Sequence, residues 1–167
     1  MSVLKTASLA VLLSFATSSI AMSQEVTLTL GPALEDKRSD YGDRDIERIS
    51  ESVVEAVSDA LNAVRADESY TVAITLDDAW PNRPTRRQLS ANPGLSFESV
   101  SLGGAHLSAV IYDGSGNATG EVSYSWRTPT IAQSRGRGTW HDANRTFDRF
   151  ADRVADAFPA HATGSSR

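Results

Sequence analysis

Residues Asp45 to Arg65 read DIERISESVVEAVSDALNAVR. Ile46, Ile49, Val53, Val54, Val57, Ala60, Leu61 and Val64 recur at spacings of three and four, while Glu47, Arg48, Glu51, Glu55, Asp59 and Asn62 fall between them. That period is the signature of an amphipathic helix with one apolar stripe and one charged face. A helix of this kind is stable only when its stripe is covered, so the flanking segments must supply a sheet or a second helix to cover it.

Working outward, Glu25 to Leu30 alternates Val26, Leu28 and Leu30 with Thr27 and Thr29, the pattern of a half-buried strand. Gly31 and Pro32 end it, and a charged loop from Glu35 to Asp43 leads into the helix, with Asp43 or Asp45 placed to cap the first turn. On the other side, Asp67 to Ser69 make a turn, and Tyr70 to Leu76 alternates again through Val72, Ile74 and Leu76. If these two strands share a sheet and run the same way, the crossover is right-handed. A long loop follows from Asp77 to Pro93, in which Thr85 to Leu89 reads as one helical turn capped by Thr85.

Three further strands are expected: Leu95 to Leu102, then Leu107 to Tyr112 after the Gly103-Gly104 break, then Glu121 to Trp126 after a tip at Asp113 to Asn117. Gly103-Gly104 also fits a bulge within one longer strand. An irregular stretch from Thr128 to Gly138 precedes a second amphipathic helix, whose stripe is Trp140, Ala143, Phe147, Phe150, Ala151, Val154 and Phe158 and whose end is set by Pro159. The expected fold is therefore α+β: a two-layer sandwich with two amphipathic helices packed on one face of a mostly antiparallel five-stranded sheet.

Residues 1–21 read as a signal peptide. Lys5 gives a positive start, the apolar run is too short to span a bilayer comfortably, and Ser19-Ile20-Ala21 places small residues where a signal peptidase reads. Cleavage after Ala21 shortens the 167-residue chain to 146 residues, one domain over 22–159 with a small, polar, disordered tail over 160–167. It also removes Lys5, moving the formal net charge from -5 to -6. An acidic domain suits nucleic acid poorly, because phosphate neutralisation leans on net positive charge. The chain has no cysteine, which excludes a thiol nucleophile, a thiolate metal site and a disulfide framework. The expected location is periplasmic or secreted, with no stable membrane insertion after cleavage.

No catalytic set stands out. His106, His141 and His161 are the three histidines, and none has the spacing that places two metal ligands on one helical face. Asp113, Ser115, Asn117 and Thr119 alternate like the early ligands of a calcium loop, but Ala118 stands where its glycine belongs and Tyr124 where its bidentate acid belongs. Turn chemistry explains the same residues. Asp36, Asp40, Asp43 and Asp45 form a second cation candidate. No metal and no cofactor is assigned.

The strand ending in Asp113, its glycine-containing tip, the return strand near Gly120-Glu121 and the Trp140-led helix with Phe147, Phe150 and Ala151 together resemble small bacterial envelope domains without an assigned activity, many of them lipoproteins. The likeness covers residues 70–158. It also extends to accessory lipoproteins that regulate or scaffold envelope machines, which implies an envelope role, although this chain lacks the lipidated cysteine.

The leading expectation is a non-enzymatic envelope domain that binds a protein partner through the long loop, with Trp80 as an aromatic anchor beside Arg83, Arg86 and Arg87. In the expected topology the acidic loop and the Asp113 tip share that end of the sandwich, and Arg127, Arg135 and Arg137 lie at the opposite end. One continuous basic groove for a glycan, a lipid headgroup or nucleic acid is then disfavoured. The competing expectation is a small-ligand carrier or hydrolase with a pocket between sheet and helices, near His106, Tyr112 and Asp113.

Overall fold

The computed structural model describes residues 25–64 and 69–158. The cleavage site expected after Ala21 and the tail over 160–167 lie outside them. In chain order the elements are β1 (Glu25–Leu30), α1 (Pro32–Glu35), α2 (Arg38–Tyr41), α3 (Asp43–Val64), β2 (Thr71–Trp80), α4 (Arg86–Ala91), β3 (Gly104–Tyr112), β4 (Ala118–Arg127), α5 (Ile131–Ser134) and α6 (His141–Ala157).

The class is α+β as expected, but the sheet has four strands rather than five and is mixed rather than mostly antiparallel. Its order is β1-β2-β3-β4; β1 pairs with β2 in parallel, and β2–β3 and β3–β4 are antiparallel. The segment Leu95 to Leu102 is not a strand. Pro93-Gly94 breaks it upstream, and its serines fold it onto itself: the Ser96 amide donates to Ser99 Oγ at 3.0 Å and the Glu98 amide to Ser96 Oγ at 3.2 Å. The partner it would have needed is also taken, because β2 continues past a bulge between Leu76 and Asp78 and pairs Trp80 with Gly104 of β3.

The charged loop before the main helix is likewise more ordered than expected. α1 runs into it at Glu35 and α2 lies within it, and Gly42 follows at φ +91°, a backbone that glycine adopts without strain. The chain then reverses into α3.

Aligned rows of the sheet explain the core. Leu28, Ile74, Ala109 and Val122 stand side by side, as do Leu30, Leu76, Leu107 and Tyr124. This face is covered by α3 and α6, which pack against each other and against the strands. Ile49, Val53 and Val57 of α3 and Phe147, Phe150 and Val154 of α6 are almost fully buried there. The other face carries Thr27, Thr29, Ser123 and Ser125, all exposed. One dry face and one wet face are what the alternation of each strand requires.

Candidate functional site

The loop leaving β2 is held by a short local code and by long-range bonds. Thr85 caps α4, as the sequence indicated, and Gln88 completes a reciprocal capping box: the Gln88 amide donates to Thr85 Oγ1 at 3.2 Å and the Thr85 amide to Gln88 Oε1 at 3.0 Å. Gln88 Nε2 then donates to Asp40 at 2.8 Å, and Arg87 Nε to the Ser39 carbonyl at 3.3 Å, so α4 is tied to α2.

The four residues expected to form a binding surface do different things. Trp80 is half-buried, with the Lys37 ammonium 5.6 Å and the Arg127 guanidinium 4.8 Å from its ring centroid. Lys37 also grips Asp78 at 2.6 Å. Trp80 therefore stacks with two cations of the domain itself. Arg83 is a clamp: Nε donates to the Arg137 carbonyl at 2.6 Å, and its terminal nitrogen donates to the Phe97 carbonyl. Arg86 and Arg87 are exposed.

Arg83 and Arg86 do meet other arginines. Together with Arg44 and Arg48 from the first turns of α3 they line a cleft of about 230 Å³, whose remaining walls include Leu89 and Phe97. Phe97 is 76% exposed, the most exposed large hydrophobic side chain among the described residues. One carboxylate, Asp45, stands in the cleft; it accepts from Trp140 Nε1 at 2.9 Å and lies 4.0 Å from Arg48. Among the described residues, Arg44 and Arg86 have no carboxylate within ion-pair distance. Trp80 and Arg127 face a separate hollow of about 290 Å³ on the far side of Pro84.

Arg127, Arg135 and Arg137 do not lie at the opposite end, as the five-stranded reading required. Each strand reverses the chain, so removing one strand swaps the ends: Gly104 pairs with both Trp80 and Arg127, bringing Arg127 onto the Trp80 ring and the Arg135–Arg137 segment beside Arg83. The basic side chains gather at one end but serve separate sites. By the same parity the Asp113 tip moves away from the loop, to the end where Tyr112 pairs with Thr71.

Sequence reasoning missed the buried polar knot beneath the cleft. Asp142, with no exposed surface, accepts at Oδ2 from Asn82 Nδ2 at 2.6 Å and from Thr128 Oγ1, and at Oδ1 from Arg137 at 2.6 Å. The Asp142 amide returns a bond to Asn82 Oδ1 at 2.9 Å. Burial by itself raises the Asp142 carboxyl, but the bonds from Thr128 and Asn82 and the Arg137 charge overcome it and hold the group below the usual carboxylate range. An acid at a helix start is a legible hint in the sequence; its partner Asn82, sixty residues upstream, is not.

The other candidates are dispersed. His106 and Asp113 sit toward opposite ends of the β3–β4 hairpin, and His106 lies 4.0 Å from Asp77. Asp113 Oδ1 accepts the amides of Ser115 and Asn117, both at 2.9 Å, which closes the hairpin tip and lowers the carboxyl. Asp40 is engaged by Gln88, Asp43 by Arg38 and Asp45 by Trp140. Among the described residues no three His, Asp or Glu side chains converge as a metal site would require, and no helix is long and apolar enough to cross a membrane. The sheet–helix interior near Leu76, Leu107, Phe147 and Phe150 is closed, each at 1% exposure or less.

No family model matches the chain, and no curated protein matches it. Among solved structures, a Caulobacter crescentus chain described only provisionally as a lipoprotein aligns over 78% of this chain and 82% of its own, at 11% identity and a TM-score of 0.30.

Proposed function

We propose that this is a non-enzymatic binding domain that takes up an acidic, partly apolar segment of a protein partner in the arginine cleft. The observation that carries the reading is that four arginines line one small cleft in a chain whose formal net charge is -5. Like charges gathered in this way repel one another, and Arg44 and Arg86 gain no compensating ion pair among the described residues. A carboxylate-bearing partner supplies the missing charges, and arginine forks bind carboxylates in a defined geometry. Phe97 and Leu89 add the apolar contact that distinguishes a protein segment from a free anion.

The partner surface therefore keeps Arg83 and Arg86 of the long loop, gains Arg44, Arg48 and Phe97, and leaves Trp80 and Arg87 outside. The location attached to this reading, a periplasmic or secreted one within reach of the envelope, is supported by the signal-like residues 1–21.

The test is a titration of a fluorescent peptide of glutamates around a single phenylalanine, followed by anisotropy at low salt. Binding should weaken as salt rises. An Arg44→Ala, Arg86→Ala double variant should lose affinity by about tenfold or more at an unchanged melting temperature. Equal affinity in the double variant, or tighter binding of inorganic phosphate than of the peptide, removes the reading.

A further inference from the structure

The sheet ends in two edges, β1 and β4, and the helix beside each edge carries a column of one sign. On α3, Glu47, Glu51 and Glu55 follow one another at four-residue intervals, which stacks them on one line of the helix. They rim an open groove of about 890 Å³ whose floor is Leu28, Leu30, Ile46 and Val54. On α6, Arg145, Arg149 and Arg153 repeat the same interval. They lean toward β4, Arg145 and Arg149 over Trp126 at 5.5 and 5.1 Å and Arg153 over Tyr124 at 4.4 Å.

Neither column forms an ion pair among the described residues. No Glu47, Glu51 or Glu55 carboxylate lies within ion-pair distance of a cation, and none of the three arginines lies within that distance of an acid, among the described residues. Asp148, Asp152 and Asp156 form a line of their own on α6, three residues round from the arginines. Like charges four apart weaken a helix, and the opposite charges three residues away, Asp148, Asp152 and Asp156 on α6 and Arg44 and Arg48 on α3, offset part of that repulsion.

The two edges match in direction, and the two columns match in their spacing along the helices. β1 runs parallel to β2, and two antiparallel steps then make β4 run the same way as β1. Each long helix follows its edge strand and starts at the same end of the sheet. Glu47, Glu51 and Glu55 stand four, eight and twelve residues beyond Asp43, the first residue of α3; Arg145, Arg149 and Arg153 stand four, eight and twelve beyond His141, the first residue of α6.

The backbone is also available. The Glu25 and Gly31 amides point to β2, bonding the Tyr70 and Leu76 carbonyls, so the alternation of a parallel ladder turns the amides of Val26, Leu28 and Leu30 toward the open edge. Those three side chains, and Tyr124 and Trp126 on the other edge, are only half-buried.

We infer that the β1–α3 edge of one copy receives the β4–α6 edge of a second copy, extending the sheet in parallel and setting the glutamate column against the arginine column. The surfaces are different, so the assembly keeps one free edge of each kind, one at each end, and grows head to tail. Charge sets the register, and the half-buried apolar rows complete each other's cover. These edges are separate from the arginine cleft.

The experiment is sedimentation velocity on the chain from Met22 onward, at rising concentration and at low and high salt. Wild type should gain mass with concentration and lose it with salt. The charge-reversed variants Glu47→Arg with Glu51→Arg, and Arg145→Glu with Arg149→Glu, should each be monomeric alone. Mixed in equal amounts they should associate again, because the reversed columns complement each other. Should a reversed variant fail to fold by circular dichroism, the neutral variants Glu51→Gln and Arg149→Gln replace it, and each should weaken association. A wild type that stays monomeric at all concentrations in low salt overturns the inference. So does association unchanged by the reversals, or a mixture of folded reversed variants that stays monomeric.

Discussion

Asn82 and Asp142 hold each other by two hydrogen bonds, one from the Asn82 amide nitrogen to the carboxylate at 2.6 Å and one from the Asp142 backbone amide to Asn82 Oδ1 at 2.9 Å. Both residues have no exposed surface. Asn82 also receives the Ser101 amide at its carbonyl and donates its own amide to the Thr139 carbonyl. One pair therefore fastens the loop after β2, the segment before β3 and the start of α6, the three pieces that frame the arginine cleft.

Removing Asn82 should be costly for that reason. Asn82→Ala leaves a buried carboxylate with Thr128 and Arg137 alone, and the loss of one partner of a buried charge is worth about 3 kcal/mol. Urea unfolding should show that loss in the midpoint at an unchanged slope. Asn82→Asp should be worse, because it sets two carboxylates against each other.

The pH dependence follows from the same group. The folded Asp142 carboxyl titrates below its unfolded value, which lies near about 4. The ionised form is thus the favoured one in the fold, so its contribution is fully present above the unfolded value and is lost as pH falls through the folded one. At the other end, burial first, with Asp78 and Asp40 adding to it, pushes the Tyr41 hydroxyl up to about 12. Its neutral form is favoured, so that contribution holds below about 10 and disappears as pH rises toward the folded value. Melting temperature against pH should be flat from mildly acid to mildly alkaline conditions and fall on both sides. Asp142→Asn should blunt the acid side, and Tyr41→Phe the alkaline side.

Much of this frame was legible in the sequence, and the exceptions have a common cause. The period of Ile46 to Val64 and the alternation of Glu25 to Leu30 are local signals that burial rewards directly, and both elements are present with ends shifted by no more than about two residues. Leu95 to Leu102 carries apolar residues at strand-like intervals, but a strand also needs a neighbour, and β3 is already paired on both sides. That single extra strand reversed the ends of everything after it, moving Arg127 away from Trp80 and Asp113 toward it. Arg48 was legible as part of the polar face of a helix, while its place with Arg44, Arg83 and Arg86 around one cleft depends on how the loop folds back. No periodicity encodes a contact of that kind.

Gly103 reports on the knot through space rather than backbone conformation. A Cβ on Gly103 would run into the Asn82 side-chain amide, which is itself fixed by Asp142 and cannot swing aside. Gly103→Ala should therefore destabilise by about 1–3 kcal/mol, the range of overpacking. Gly94 is the control: nothing lies within 4 Å of its Cβ position. Gly94→Ala should be neutral or slightly stabilising, because it restricts the unfolded chain. Paired thermal melts of the two variants separate the effect of position from that of adding a methyl group.

Arg83 and Arg86 line the same cleft but should fail in different ways. Arg83 is half-buried and donates to the carbonyls of Arg137 and Phe97, so Arg83→Ala frees two loops that it now bridges. Hydrogen exchange should quicken over 94–103 and 134–138, with a stability loss of about 1–2 kcal/mol from two charge-assisted bonds. Arg86 is exposed and bonds no acid among the described residues, so Arg86→Ala should leave both exchange and melting unchanged while weakening the acidic peptide. If Arg86→Ala slowed or quickened exchange across the loop as Arg83→Ala does, Arg86 would be part of the scaffold. The cleft would then be a by-product of loop packing, with no free guanidinium left to receive a partner.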